Sequence, residues 1–308
     1  MYSQTRRSNS RSSRRRAAGL LLALLTALPA TAPVSRLFAQ AKADTKTDKA
    51  AAPVDAFARA GRDYAAGRWN EAALGYRTLL GQQPNHPRAT AAQFLLGECL
   101  LQLDRPAEAA AAFRAVLARP AIPRYTPVAR FRLGQIALAS ERWDEARREL
   151  AKFVELAPKD DLAAYACLDL AELALTHGDA ADARKWLALA AESPTADELS
   201  DEAARLTGRL ALKEADYSSA EQIFRTLVES ARDDLNAADS SATAADRYQL
   251  AVALLGLREF DAALDAVAAI SAEQLPDDLR PSLAVVRASA LMQLERFDDA
   301  LTQLGQYL

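Results

Sequence analysis

A six-residue stretch, Gly67-Arg68-Trp69-Asn70-Glu71-Ala72, returns six more times along the chain. The copies are Asp104–Ala109, Glu141–Ala146, Gly178–Ala183, Ala215–Ala220, Arg258–Ala263 and Glu295–Ala300. Successive copies lie 37, 37, 37, 37, 43 and 37 residues apart. A fixed period of this size is the mark of stacked supersecondary units, each unable to bury its apolar face alone. No other property of the chain restricts the fold as much. Composition agrees with a helical unit. Half of the residues are apolar but only 6% are aromatic, and runs of alternating β-branched residues are missing. The chain is therefore expected to be all-α.

With the turn residue Trp69 set at position 17, units begin at 53, 90, 127, 164, 201, 244 and 281. Position 8 is then Ala60, Gly97, Gly134, Ala171, Gly208, Ala251 and Ala288, and position 20 is alanine in every unit (Ala72, Ala109, Ala146, Ala183, Ala220, Ala263, Ala300). Two helices of a hairpin approach closely only where bulk is missing, so these two columns mark the contact within each pair. Position 17 (Trp69, Pro106, Trp143, Ala180, Tyr217, Phe260, Phe297) and position 24 (Tyr76, Phe113, Leu150, Leu187, Phe224, Val267, Leu304) carry the bulk expected to fill the space between one pair and the next. Prolines fall at the joints between units or, as Pro106, at the first turn of a helix, where a missing N–H is harmless. Asn70 is read as the N-cap of the helix that comes after the turn.

Small residues at 8, aromatics at 17, alanine at 20, a large apolar residue at 24 and proline at 32 (Pro84, Pro158) resemble the tetratricopeptide repeat, a helix–turn–helix unit. The resemblance covers 53–308 and implies an α-solenoid of about seven repeats, 53–89, 90–126, 127–163, 164–200, 201–243, 244–280 and 281–308. The period of 37, longer than the 34 usual in that family, places the extra residues in a longer second helix or a longer link to the next unit. The one irregular interval falls on Ser230–Ala245, a polar, acidic stretch read as a longer loop or an extended helix end. The last unit stops within its second helix, leaving Leu301, Leu304, Tyr307 and Leu308 near an end with nothing stacked on it. Arrays of this kind usually end in a polar cap, so the end is a candidate for docking a partner or a second copy.

The first 41 residues differ from the rest. They hold seven arginines and no acid, then the apolar run Ala17–Leu28. Twelve residues are too few to cross a bilayer, which takes about 20, but suit the core of a secretory signal, with Ala39-Gln40-Ala41 as the cleavage site. Residues 1–41 are thus expected to be a signal peptide or an N-terminal anchor, 42–52 a linker, and the repeats to lie in the periplasm or cell envelope. A twin-arginine signal and a mitochondrial transit peptide are weaker readings of the same stretch. Without the leader, 31 basic residues face 41 acidic ones, a net charge of −10. Such a chain is a poor ligand for nucleic acid, which is bound through phosphate neutralisation.

For catalysis the sequence offers little. His86 and His177 sit in turns, and Cys99 and Cys167 lie among apolar residues of helices two repeats apart. No zinc spacing, nucleophile elbow, phosphate loop or calcium loop occurs. No cofactor or metal and no enzymatic activity are expected. What remains is binding of a protein or peptide. The resemblance implies that the first helix of each unit lines the concave groove, through positions that include 5 and 9. The candidate contacts are Phe57, Tyr64, Phe94, Glu98, Phe131, Gln135, Tyr165, Leu168, Glu172 and Tyr248, with Arg205, Arg209 and Lys213 forming a basic step. The lysine and asparagine of the family's carboxylate clamp are absent, so a C-terminal carboxylate is not the implied ligand. Two readings remain: a scaffold of the cell envelope, or the non-catalytic N-terminal interaction region of a longer envelope enzyme or transport or assembly subunit.

Overall fold

A computed structural model describes residues 55–232, 241–268, 270–275 and 279–305. The expected leader and linker, and the middle of the irregular interval, lie outside the described residues. Within them the fold is all-α, of the α-solenoid class, with fourteen α-helices, two 3-10 turns and no strand. The helices form seven consecutive pairs: α1 (Ala56–Ala65) with α2 (Trp69–Gln82), α3 (Ala89–Gln102) with α4 (Pro106–Leu117), α5 (Thr126–Ala139) with α6 (Trp143–Leu156), α7 (Ala163–His177) with α8 (Ala180–Ala191), α9 (Ser200–Lys213) with α10 (Tyr217–Arg232), α11 (Ser241–Gly256) with α12 (Phe260–Ala268), and α13 (Arg280–Gln293) with α14 (Phe297–Gly305). They divide into two compact units that part within α7, between Ala166 and Cys167. In the first, each helix from α1 to α6 packs on the next; in the second, the same holds from α8 to α14, and α9, α11 and α13 also touch in sequence.

All seven pairs turn in the same way. The residue at position 15 has a positive φ in every case: Gly67 (71°), Asp104 (54°), Glu141 (55°), Gly178 (83°), Ala215 (58°), Arg258 (65°) and Glu295 (58°). Its N–H bonds the carbonyl of position 12, as Gly67 to Tyr64 and Glu141 to Leu138 (both 3.0 Å), and the next N–H reaches back to position 11, as Arg68 to Asp63 (2.9 Å) and Arg142 to Ala137 (2.8 Å). These two bonds satisfy the last carbonyls of the first helix in a Schellman closure. The position-16 carbonyl then accepts from the position-20 N–H, as Arg68 from Ala72 (3.0 Å). One residue thus ends the first helix and caps the second. The cap of α2 is Arg68 and not Asn70, which lies one residue inside the helix. Side-chain caps occur where position 16 is aspartate: Asp179 accepts from the Asp182 N–H (3.0 Å) and Asp216 from that of Ser219 (3.2 Å).

The extra length of the period lies in the links. A 14-residue second helix (α2, α6) is followed by six linking residues and a 12-residue one (α4, α8) by eight, so the register of the next pair is kept. In the irregular interval, α10 runs on to Arg232 and α11 begins at Ser241.

Both small columns are buried, but position 24 acts within its own pair. A Cβ on Gly97 would stand 2.7 Å from the Phe113 ring, one on Gly134 2.5 Å from Leu150, and one on Gly208 2.7 Å from Phe224. The glycine of the first helix is therefore the seat for the large side chain of its own second helix. Position 17 does not behave as a buried column. Trp69 stacks edge-on against Tyr64 of its own pair, with ring centroids 5.0 Å apart. Tyr217 lies against the following pair, over Gly256. Trp143 is 38% exposed and Phe297 is exposed. A side chain at the start of a second helix meets a neighbour only when the next first helix presents a hollow there.

The first helices α3 and α5, which pack on the helix before them, bury an i, i+4, i+7, i+8 stripe at positions 3, 7, 10 and 11. In α3 these are Ala92, Leu96, Cys99 and Leu100, and in α5 Ala129, Leu133, Ile136 and Ala137, all buried. In α9 position 7 is Thr207, exposed, and a cavity of about 430 Å³ opens there between Leu187 and Ala188 of α8 and Ile223 of α10.

Candidate functional site

The aromatic row at position 5 lies inside the protein. Phe57 packs on Tyr76 (centroids 5.7 Å apart), Phe94 on Phe113 (5.6 Å) and Tyr125 (5.4 Å), and Phe131 on Phe153 (5.2 Å). Phe57, Phe94, Phe131, Leu168, Tyr248 and Tyr64 are all buried. Phe57, Phe94 and Phe131 fill the interior of their own pairs, and Phe94 also reaches the joint beside it. Arg88 lies over the Phe57 ring, 5.2 Å from its centroid. Burial, and next the neighbouring Glu98 carboxylate, push the Tyr64 phenol up. Tyr165 remains partly exposed.

Glu98 is buried too, and its partner is intramolecular. Arg132, one pair further on, donates from Nε (3.0 Å) and Nη2 (3.1 Å) to its two carboxylate oxygens. The remaining Nη1 donates to Gln135 (3.0 Å). A guanidinium held at both ends across two pairs fixes the spacing of α3 and α5, and commits the Glu98 carboxylate to the stack.

The second unit holds a denser set of charges. Arg205 donates from Nε to both oxygens of Asp246 (3.1 Å each), and its Nη1 lies 3.7 Å from Glu202. Arg209 ion-pairs with Glu172, and Lys213 donates to the Leu175 carbonyl in the last turn of α7. Two charges of the expected basic step are therefore paired with carboxylates, Arg205 from α11 and Arg209 from α7, while the Lys213 ammonium meets a neutral carbonyl. Asp246 is buried, whereas Glu172 and Arg209 are both more than a third exposed. Arg205 works as a pin between α9 and α11; Arg209 grips Glu172 from both terminal nitrogens, but in a pair open enough for water to compete for the same oxygens. Asp169 sits one turn before Glu172, and burial, together with Glu172 and Glu202, pushes its carboxyl up to about 7. Asp246 is likewise raised by burial, against the pull of Arg205.

Sequence reasoning misses Arg132, Asp246 and Asp169. A spacing signal is present for the ion pairs: Glu98 and Arg132 are 34 residues apart and Glu172 and Arg209 37, so opposite charges about one period apart face each other across adjacent first helices.

The other polar candidates are structural. His86 Nδ1 accepts from the Arg88 N–H (3.1 Å) in the first link, and His177 Nδ1 lies 2.8 Å from the Leu173 carbonyl. Cys99 and Cys167 are buried thiols, each pushed up to about 12 by burial. Among the described residues no group of three His, Cys, Asp or Glu side chains is placed to hold a metal. The geometry suits a surface that trades ion pairs with another polypeptide, through Glu172, Glu202, Arg209 and Lys213.

Comparison with known proteins agrees with the fold. The crystal structure of a tetratricopeptide repeat protein from Parabacteroides merdae superposes with a TM-score of 0.52 at 13% identity, covering 82% of this chain and 90% of that one. BtubC (BKLC) from P. vanneervenii gives a TM-score of 0.50 at 14% identity, covering 73% and 91%. At these identities the likeness is one of fold alone. No curated protein matches the sequence. The family model for the tetratricopeptide repeat matches residues 57–124, 131–198 and 248–308, well over half of the chain. With seven pairs closed by the same turn and that match, the chain belongs to the tetratricopeptide repeat family.

Proposed function

We propose that this protein is a non-catalytic protein–protein interaction scaffold of the bacterial cell envelope, which takes a partner polypeptide on the polar face of its first helices. Repeats of this family generally mediate protein–protein interaction and typically form scaffolds without catalytic groups. The observation that carries the reading is the Glu172–Arg209 pair with its neighbours Glu202 and Lys213: charged side chains on successive first helices, the first two half-exposed and the other two exposed. Such groups exchange partners at small cost and orient a ligand by charge. Export is supported by the Arg-rich, acid-free start and the apolar run Ala17–Leu28.

The test is cross-linking in intact cells, with identification of the proteins recovered alongside the tagged chain. Arg209→Glu and Lys213→Glu should lower recovery of the specific partner and leave the circular dichroism spectrum unchanged. Arg205 is not a suitable probe, since reversing its charge strands the buried Asp246. Undiminished capture by the double variant, or fractionation of the tagged protein with the cytoplasm, would refute the proposal.

A further inference from the structure

The helix α9 lacks a side chain that four other first helices have. Position 7 is a buried leucine in α3, α5, α7 and α11 (Leu96, Leu133, Leu170 and Leu250). In α9 it is Thr207, exposed, whose hydroxyl turns back to the Ala203 carbonyl of its own helix (2.8 Å). Its neighbours do not fill the gap, because α8 brings Ala188 there and the next turn of α9 brings Ala211. The cavity of about 430 Å³ beside Thr207 is the result. That volume lies within the range of small-ligand sites, about 300–1,000 Å³.

The lining is apolar inside and charged at the mouth. Leu210 is buried and Leu187 and Ile223 are half-buried, whereas Arg184, Glu214 and Asp216 are exposed. Arg184 is ion-paired with Glu214. Among the described residues no cation pairs with Asp216. Its carboxylate takes the hydroxyl of Ser219 and, at 3.2 Å, the Ser219 N–H in the first turn of α10. These bonds hold the Asp216 carboxyl below its usual value, so it is ionised. The mouth thus sets one guanidinium against two carboxylates, a net charge of −1. An anion entering here would meet like charge, and a purely apolar molecule would leave Asp216 without a counter-ion.

We propose that this cavity binds a small alkylammonium ion, whose branched chain takes the place of the missing leucine and whose ammonium group meets Asp216 at the mouth. A leucine side chain ends in an isobutyl group, and one further methylene carries the charge outward. The site is independent of the charged face assigned above: Arg209 and Lys213 stand at positions 9 and 13 of α9, on another side of the helix from Thr207, Ala211 and Glu214 at positions 7, 11 and 14.

The experiment titrates the full chain, isotope-labelled at its isoleucine and leucine methyl groups, with isopentylammonium chloride at constant ionic strength and follows the methyl resonances. Saturable shifts are expected at Leu187, Leu210 and Ile223 and not at Leu133 in α5, with a Kd of about a millimolar for so small a ligand. Thr207→Leu fills the gap and should weaken binding at least about tenfold. Asp216→Asn keeps a residue that caps a helix and should weaken it roughly two- to fivefold, the size of one exposed ion pair. The uncharged 3-methylbutanol should bind wild type and Asp216→Asn alike, and 3-methylbutanoate should not bind. Both variants should keep the wild-type circular dichroism spectrum. The proposal is overturned if the amine gives no saturable shift, if Thr207→Leu binds it as well as the wild type, or if 3-methylbutanoate binds as tightly as the amine. Tighter binding of N-acetyl-lysine methylamide than of isopentylammonium would also overturn it, assigning the cavity to a lysine side chain of another polypeptide.

Discussion

Glycine at the left-handed turn positions should stabilise the protein. Five of the seven turns hold a non-glycine residue at φ between 54° and 65°: Asp104, Glu141, Ala215, Arg258 and Glu295. For an L-residue that conformation costs roughly 1–2 kcal/mol, less for aspartate, because Cβ crowds the following carbonyl. Glycine removes the crowding but loses about 0.4–1 kcal/mol of unfolded-chain entropy. All five side chains are exposed, so little contact is lost. The expected net gain is about 0.5–1 kcal/mol each at Glu141, Ala215, Arg258 and Glu295, and less at Asp104. The sites belong to different turns, so the four larger gains should nearly add, to roughly 2–4 kcal/mol. Urea unfolding monitored by circular dichroism reads this as a rise in midpoint with an unchanged slope. The mirror experiment is Gly67→Ala, where the strain is introduced (φ 71°) and the midpoint should fall. A fourfold glycine variant with an unchanged or lower midpoint would refute the reasoning, since the turn would then not be what limits these positions.

Three further outcomes are expected. Arg132→Met leaves the buried Glu98 carboxylate without its partner and should cost about 3–5 kcal/mol, whereas Glu98→Leu with Arg132→Met should recover most of that loss in a thermal melt. Phe153→Ala, at a fully buried ring, should cost about 3–5 kcal/mol and clearly more than Trp143→Ala, whose ring is 38% exposed; equal losses would mean that Trp143 is buried after all. The raised Asp169 carboxyl binds its proton more tightly folded than unfolded, so its contribution is full below pH 4 and is lost as pH rises through about 7. Asp169→Asn should therefore raise the urea midpoint at pH 8 relative to wild type, with little or no such gain at pH 4.

The helical pairs and their order are legible in the sequence because they rest on columns of small residues, and a missing side chain is an unambiguous steric statement. Ala72 and its six counterparts are buried, none more than 3% exposed. The turn is only partly legible. Gly67 and Gly178 announce a left-handed residue, but Glu141, Ala215, Arg258 and Glu295 do not, since nothing in those side chains favours positive φ. What places them there is the pair of bonds from positions 15 and 16 back to positions 12 and 11, a backbone closure that any side chain can accompany and that therefore leaves no mark in the sequence.

The surroundings of the position-5 residues are hidden in the sequence for a related reason. Position 5 looks like a groove position when one helix is considered alone, and phenylalanine there looks like an anchor. In the folded chain Phe57 and Phe94 meet the position-24 aromatic of their own second helix, and Phe131 meets Phe153 three positions further on. An aromatic opposite an aromatic within the same repeat is therefore core. The charges obey a different rule, since Glu98, Glu172 and Asp246 find their arginines on the neighbouring pair. What separates them is water: Glu98 and Asp246 are buried and committed to holding the stack together, because breaking either pair strands a charge in the interior. Glu172 and Arg209 stand more than a third exposed, so the same one-period spacing leaves them within reach of a partner.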